Sequence, residues 1–155
     1  MLKRVAFVFA SVVVVGMTAT SLAFAESNTK SVRGTFSEQA VTSPCTSPIG
    51  LCAAGEFKGG LHGTFEITAT SATPTSNPDV VLLTTSWVVH TKQGDIDGSG
   101  QTLLNTVTGY FSSVDSIVGG TGKWAGASGT LQSTGQFNAA TGVGEGDYQA
   151  VISVP

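Results

Sequence analysis

Charge is what this chain has least of: only 11% of its 155 residues are Asp, Glu, Lys or Arg. They form no runs, no basic cluster and no alternation of basic with aromatic residues, so the footprint that a phosphate backbone needs is missing. Nucleic acid is therefore not an expected partner. Cysteine is nearly absent too, with two residues, Cys45 and Cys52, and no histidine pair beside them. That argues against a zinc or redox centre built on thiols. No G-x-S-x-G nucleophile signature occurs; Gly98-Ser99-Gly100 is a fragment of one without the flanking spacing. Helical periodicity is missing beyond the N-terminal segment, which excludes bundles and α/β folds.

The one long apolar run lies at the start. Lys3 and Arg4 precede Val5 to Gly16, and Ala23-Phe24-Ala25 follows. The run is about 12 residues, short of the roughly 20 needed to span a bilayer, and the small residues at 23 and 25 suit a signal peptidase. The expectation is a signal peptide over residues 1–25, cleaved after Ala25, and one secreted or periplasmic domain over residues 26–155. No cysteine closely follows the apolar core, which argues against a lipid anchor. Without the leader, Lys30, Arg33, Lys58, Lys92 and Lys123 face ten acidic residues, an acidic surface that reinforces the case against nucleic acid. In an exported chain, Cys45 and Cys52 are expected to oxidise to a disulfide across a short loop that turns at Pro48 and Gly50.

What the domain does have is alternation with period two, broken by Gly, Thr and Ser turns. Val32, Gly34, Phe36, Glu38 and Ala40 share one face of a first strand; Leu61, Gly63, Phe65, Ile67 and Ala69 share one face of a second. Val80 to Lys92 carries Leu83, Thr85, Trp87 and Val89 on one side. Thr102 to Phe111 reads as a strand with Leu103, Asn105, Val107 and Phe111 inward. Val114 to Val118 precedes a glycine-rich turn, and then come Leu131, Ser133, Gly135 and Phe137, and finally Tyr148, Ala150, Ile152 and Val154. A short strand between Gly94 and Gly100 brings the total to about eight. Thr42 to Gly60 and Thr73 to Asp79 read as irregular. Each strand has an apolar and a wet face, as an antiparallel sheet requires, and closing that sheet removes its edges. Pattern alone leaves a closed up-and-down barrel and an open sandwich as candidates.

Two loops imitate binding motifs. Gly119-Gly120-Thr121-Gly122-Lys123-Trp124 lacks the Ser or Thr after lysine and the upstream glycine of a phosphate loop, and no helix follows to hold a pyrophosphate. Its glycines read as a tight barrel corner, with one helical turn near Lys123 to Ala127. Asp95-Ile96-Asp97-Gly98-Ser99-Gly100 begins like a calcium loop, but the twelfth position is Thr106 rather than a glutamate. It reads as a solvated hairpin turn, with no metal and no cofactor expected; weak calcium binding is a third reading. His62 and His90 fall on polar faces.

The segment from Gly119-Gly120-Thr121-Gly122-Lys123-Trp124 through Gly126-Ala127-Ser128-Gly129 to Gly144-Glu145-Gly146-Asp147-Tyr148 resembles the allene oxide cyclase and dirigent-like barrel superfamily. The GTFEITAT strand from Gly63 and the cysteine loop look like a bacterial exported branch of it. The resemblance implies an eight-stranded barrel with a lumen, and cyclisation or steered coupling of a small molecule, largely by shape. Plant cyclases place a glutamate and a proline near the first strand; only Glu38 stands in a comparable place here. The inward aspartates and arginine of dirigent proteins have no matching motif.

Parity completes the expectation. Glu38 and Tyr148 fall on apolar faces of the first and last strands, which closure makes neighbours. They are the candidate catalytic pair, with Glu38 as acid/base. Phe36, Phe65, Trp87, Asn105, Phe111, Ser133 and Phe137 are the candidate ligand-binding residues. The leading function is a secreted barrel holding a small apolar or aromatic ligand, with isomerase-like or cyclase-like templating if it is an enzyme. The rival is a non-catalytic exported protein that uses the barrel exterior to bind the envelope or a partner.

Overall fold

The computed structural model describes residues 28–155; the expected signal peptide lies outside the described residues. Eight strands form a closed barrel in chain order, with every neighbour antiparallel. They are β1 (Asn28–Val41), β2 (Cys52–Gly59), β3 (Gly63–Pro74), β4 (Val80–Thr91), β5 (Gly94–Asn105), β6 (Tyr110–Gly120), β7 (Ser128–Asn138) and β8 (Val143–Val154). Closure of β1 on β8 leaves no edge strand, and it settles the choice between barrel and sandwich. Among the described residues no helix is long and apolar enough to cross a membrane.

The barrel has two unlike ends. At one end Leu61, Val89, Ile96, Ile117, Ala127 and Ile152 pack into a plug, each at most 4% exposed. The glycine-rich corner sits here as a single 3-10 turn, Gly122–Trp124. Gly122 and Gly126 have φ of 57° and 72°, left-handed values that a residue with a Cβ rarely adopts. Trp124 packs on the plug, and its Nε1 donates to Thr91 Oγ1 at 3.1 Å. The phosphate-loop imitation is thus a corner that closes the barrel's end.

The other end carries the loop between β1 and β2, closed by the Cys45–Cys52 disulfide. Ser47 fixes that loop: its Oγ accepts from Ile49 N and Leu51 N and donates to Ala69 O on β3. Leu51 is thereby held at the mouth of the barrel, 48% exposed.

Three expectations about strands are corrected. Residues 52–59, read as irregular, form β2; its small inward residues Ala53 and Gly55 leave room for Phe65, whose ring lies against Gly55. The calcium-like segment is the first half of β5, which bears out the short strand expected between Gly94 and Gly100 and overturns the turn reading, and Asp97 points outward from it. The expected strand from Thr102 to Phe111 is interrupted by a turn, so Leu103 and Val107 are exposed at 48% and 74%, while Thr102 and Leu104 face inward. The inward row of β5 runs through Ile96, Gly98, Gly100, Thr102 and Leu104. Its glycines are there because the Trp87 indole from β4 lies across Gly98 and the Asp115 carboxyl across Gly100.

Candidate functional site

Above the plug, the inward side chains leave a cavity of about 190 Å³ that opens toward the disulfide end. Its floor is aromatic. The Phe36 ring lies 6.1 Å from Phe57, 6.3 Å from Phe65 and 5.9 Å from Phe111, separations that favour edge-to-face and tilted packing. Trp87 forms one wall, and Leu83, Leu104, Leu51 and Phe137 border the mouth.

Six of the expected ligand-binding residues line this space: Phe36, Phe65, Trp87, Phe111, Ser133 and Phe137. Asn105 does not. It ends β5, and its Oδ1 accepts from Val107 N and Thr108 N, an Asx-type turn that caps the β5–β6 connection. Leu104 occupies the inward position beside it.

Glu38 is in the lumen. Its partner on β8 is Gly144, where a Cβ would come within 2.6 Å of Glu38 Oε1 and 3.1 Å of Phe137. The carboxyl therefore rests over bare backbone beside a phenyl ring. Burial pushes its pKa from 4.5 up to about 7, with no hydrogen bond or countercharge opposing the shift. A carboxyl in this state both donates and accepts a proton near neutrality.

Tyr148 does not join it. On β1, Tyr148 pairs with Gly34 and Gly144 with Glu38, so the two side chains sit roughly 13 Å apart along the strand. Closure makes β1 and β8 neighbours, but the register separates the pair. The Tyr148 hydroxyl accepts from Leu61 N at 2.7 Å and donates to Leu61 O at 3.1 Å, anchoring the plug rather than facing the cavity. Burial pushes its pKa up, against the Leu61 backbone hydrogen bond.

A second carboxyl was not foreseen. Asp115, 5% exposed, lies in the cavity wall, where it accepts from Trp87 Nε1 at 3.1 Å and Ser113 Oγ at 2.7 Å. Ser113 also pairs with Ser133 at 2.7 Å. Burial raises the Asp115 pKa, and its two hydrogen bonds act against that rise. Phe57, 7% exposed beneath the cavity, was also missed because β2 was. The available signal for Asp115 was the row Phe111, Ser113, Asp115, Ile117. The opposite row of β6, with Val114 and Val118, looks more apolar yet faces solvent at 58% and 65%.

His62 and His90 are exposed, as expected. His90 Nδ1 sits 3.0 Å from Asp95 Oδ1 on the surface. No cluster of three or more His, Cys, Asp or Glu side chains is placed to hold a metal among the described residues.

Fold and site together define a class: a closed eight-stranded antiparallel barrel with one disulfide, plugged at one end and hollow at the other, with two carboxyls facing an apolar lumen. Comparison with family models, with characterised proteins and with solved structures returned no match.

Proposed function

We propose that this chain is an exported small-molecule-binding barrel whose hollow end takes an apolar or aromatic ligand. The observation that carries the reading is the cavity: about 190 Å³ of mostly apolar space over an aromatic floor, with one unpartnered carboxyl, Glu38, in its wall. Ligand sites combine an apolar lining with a few placed polar groups in this way. Cavities of roughly 150 Å³ accept a single aromatic ring, so the ligand is small or enters with only one end. Export is supported by the apolar leader and by the disulfide. The resemblance to the allene oxide cyclase and dirigent-like superfamily belongs to the same proposal, supported by the strand count and closure.

A templated cyclisation or isomerisation within this lumen would run through Glu38 alone, since Tyr148 faces the plug. The rival reading, contact through the barrel exterior, draws on Tyr110, Val114 and Val118 along the outer face of β6, each more than half exposed. Val114→Lys with Val118→Lys should abolish partner capture under that reading and leave lumen binding unchanged.

The deciding experiment is mass spectrometry of compounds extracted from natively purified protein, beside Ala53→Phe, which fills the lumen. An apolar compound retained by the native chain and lost from the variant supports the proposal. Equal recovery from both, or none from either together with no affinity for single-ring compounds, overturns it.

A further inference from the structure

We infer that the lumen selects a lipophilic ammonium: a ligand with a single-ring apolar body that seats on the phenylalanine floor and a protonated amine that pairs with Glu38. The inference rests on the lumen-binding reading and specifies its ligand chemistry.

The charges are arranged for it. Two carboxyls, Glu38 and Asp115, face the cavity, and among the described residues no lysine, arginine or histidine does. Lys30, Arg33, Lys58, Lys92 and Lys123 are all exposed. A buried carboxylate without a countercharge is costly, and a ligand cation supplies what the protein omits. The two carboxyls are not equivalent. Asp115 already accepts from Trp87 and Ser113, whereas Glu38 rests against Gly144 and Phe137, with no pairing group among the described residues. Its acceptor capacity is directed at whatever enters. The aromatic rings of Phe36, Phe137 and Trp87 that line the cavity favour a cation over an anion. Above pH 7, where Glu38 is ionised, an apolar acid meets a like charge in the lumen. A neutral alcohol or carbonyl gains only one hydrogen bond.

Proton linkage separates these ligands. Of the groups that face Glu38 from β2 and β8 beside it, and from β3 to β7 across the lumen, Asp115 is the one other that ionises. With Glu38 titrating at about 7, an ammonium must displace its proton below that pH. Affinity then falls about tenfold per pH unit on the acid side and levels off above it. A neutral acceptor shows the opposite slope, because it needs the proton in place.

The test uses isothermal titration calorimetry with phenethylamine, phenethyl alcohol and phenylacetate from pH 5.5 to 8.5, on the disulfide-intact protein. The expected result is amine binding that strengthens up to pH 7, proton release seen as a dependence on buffer ionisation enthalpy, and no phenylacetate binding at pH 8.5. Glu38→Gln should weaken the amine at least about thirtyfold, as loss of one partner of a buried charge pair does, and should abolish the pH slope. Glu38→Asp should keep the slope at reduced affinity, and melting curves confirm that each variant is folded. Phenethyl alcohol binding as tightly as the amine in both wild type and Glu38→Gln, or phenylacetate binding at pH 8.5, overturns the ammonium inference and leaves the lumen reading standing. No binding of any of the three overturns both.

Discussion

The two ends of this barrel are built from the same strands and the same alternation, yet one is solid and the other hollow. At the plugged end, branched aliphatics from β4, β5, β6 and β8 meet one another and the Leu61 hairpin, and Ile96, Ile152 and Val89 are each 1% exposed. At the hollow end, the same inward rows carry alanine, threonine, serine and glycine between the large residues: Ala53, Ala69, Thr85, Thr102 and Ser133 all line the cavity. Small residues facing one another across a lumen cannot fill it, so the space follows from composition. The polar groups divide likewise. At the plugged end the buried Tyr148 hydroxyl is satisfied by backbone, while at the hollow end Glu38 is left to titrate. Close packing is concentrated at one end, and the open lumen with its titratable carboxyl at the other.

Matched truncations give the largest expected contrast. Ile96→Ala should cost about 3–4 kcal/mol, the range for emptying a filled core. Leu104→Ala, which borders space that already exists, should cost about 1 kcal/mol or less because no new enclosed void forms. Urea unfolding of the two variants measures this, and equal losses would remove the distinction between the ends. Next in size is the staple at the hollow mouth. Cys45→Ser with Cys52→Ser should lower stability by about 2–3 kcal/mol in the chain-entropy account. It should also weaken lumen binding, because Leu51 is held at the mouth by that loop. Unchanged ligand affinity in this variant would separate the loop from the site.

Glu38→Gln reverses the sign. Glu38 has a pKa of 4.5 when exposed and about 7 when folded, so between those values the folded chain holds a proton that the unfolded chain has lost. Its contribution to stability is therefore undiminished at pH 4.5, declines as pH rises, and is a constant penalty above 7. The shift corresponds to roughly 3 kcal/mol, and relaxation at the partly exposed mouth reduces that to about 2 kcal/mol. Glu38→Gln should accordingly stabilise the protein by about that amount at pH 8 and leave it unchanged at pH 4.5. Denaturation at the two pH values checks this; a variant less stable at pH 8 would show that Glu38 is paired after all.

How much of this division was legible in the residues depends on the strand. β1, β7 and β8 alternate cleanly, and their inward rows gave the right faces, including Glu38, Phe36, Ser133 and Phe137. β2 was hidden because its inward residues are Ala53, Gly55 and Phe57, and small residues next to a disulfide loop read as irregular chain. The glycines at 98 and 100 imitated a turn, although each is the space into which a neighbour's side chain fits. That relation joins residues on different strands, so no single-strand pattern contains it. β6 was ambiguous for another reason: its solvent face carries Val114 and Val118 and its lumen face carries Ser113 and Asp115, the reverse of what apolar content suggests. Register was the deepest gap. Alternation assigns a face, but only pairing assigns a height, and height is what parts Tyr148 from Glu38.

Tyr148→Phe tests that separation directly with the smallest expected effect. Removing the hydroxyl leaves Leu61 N–H, buried in the plug, without its acceptor at 2.7 Å, and an orphaned buried donor costs about 1–2 kcal/mol. The ring itself stays, edge-to-face with Phe57 at 4.6 Å between centroids, so the aromatic floor is not disturbed. Urea unfolding should show that loss, and amide exchange at Leu61 should accelerate, since the Leu61 hairpin loses its tie to β8. Ligand affinity and its pH profile should stay within about twofold of wild type, because the hydroxyl faces the plug and the responding carboxyl lies roughly 13 Å away along β1. A Tyr148→Phe variant that unfolds normally but loses the pH-dependent step would mean that the two side chains communicate across that distance, and the barrel's ends would not be the independent regions that their packing indicates.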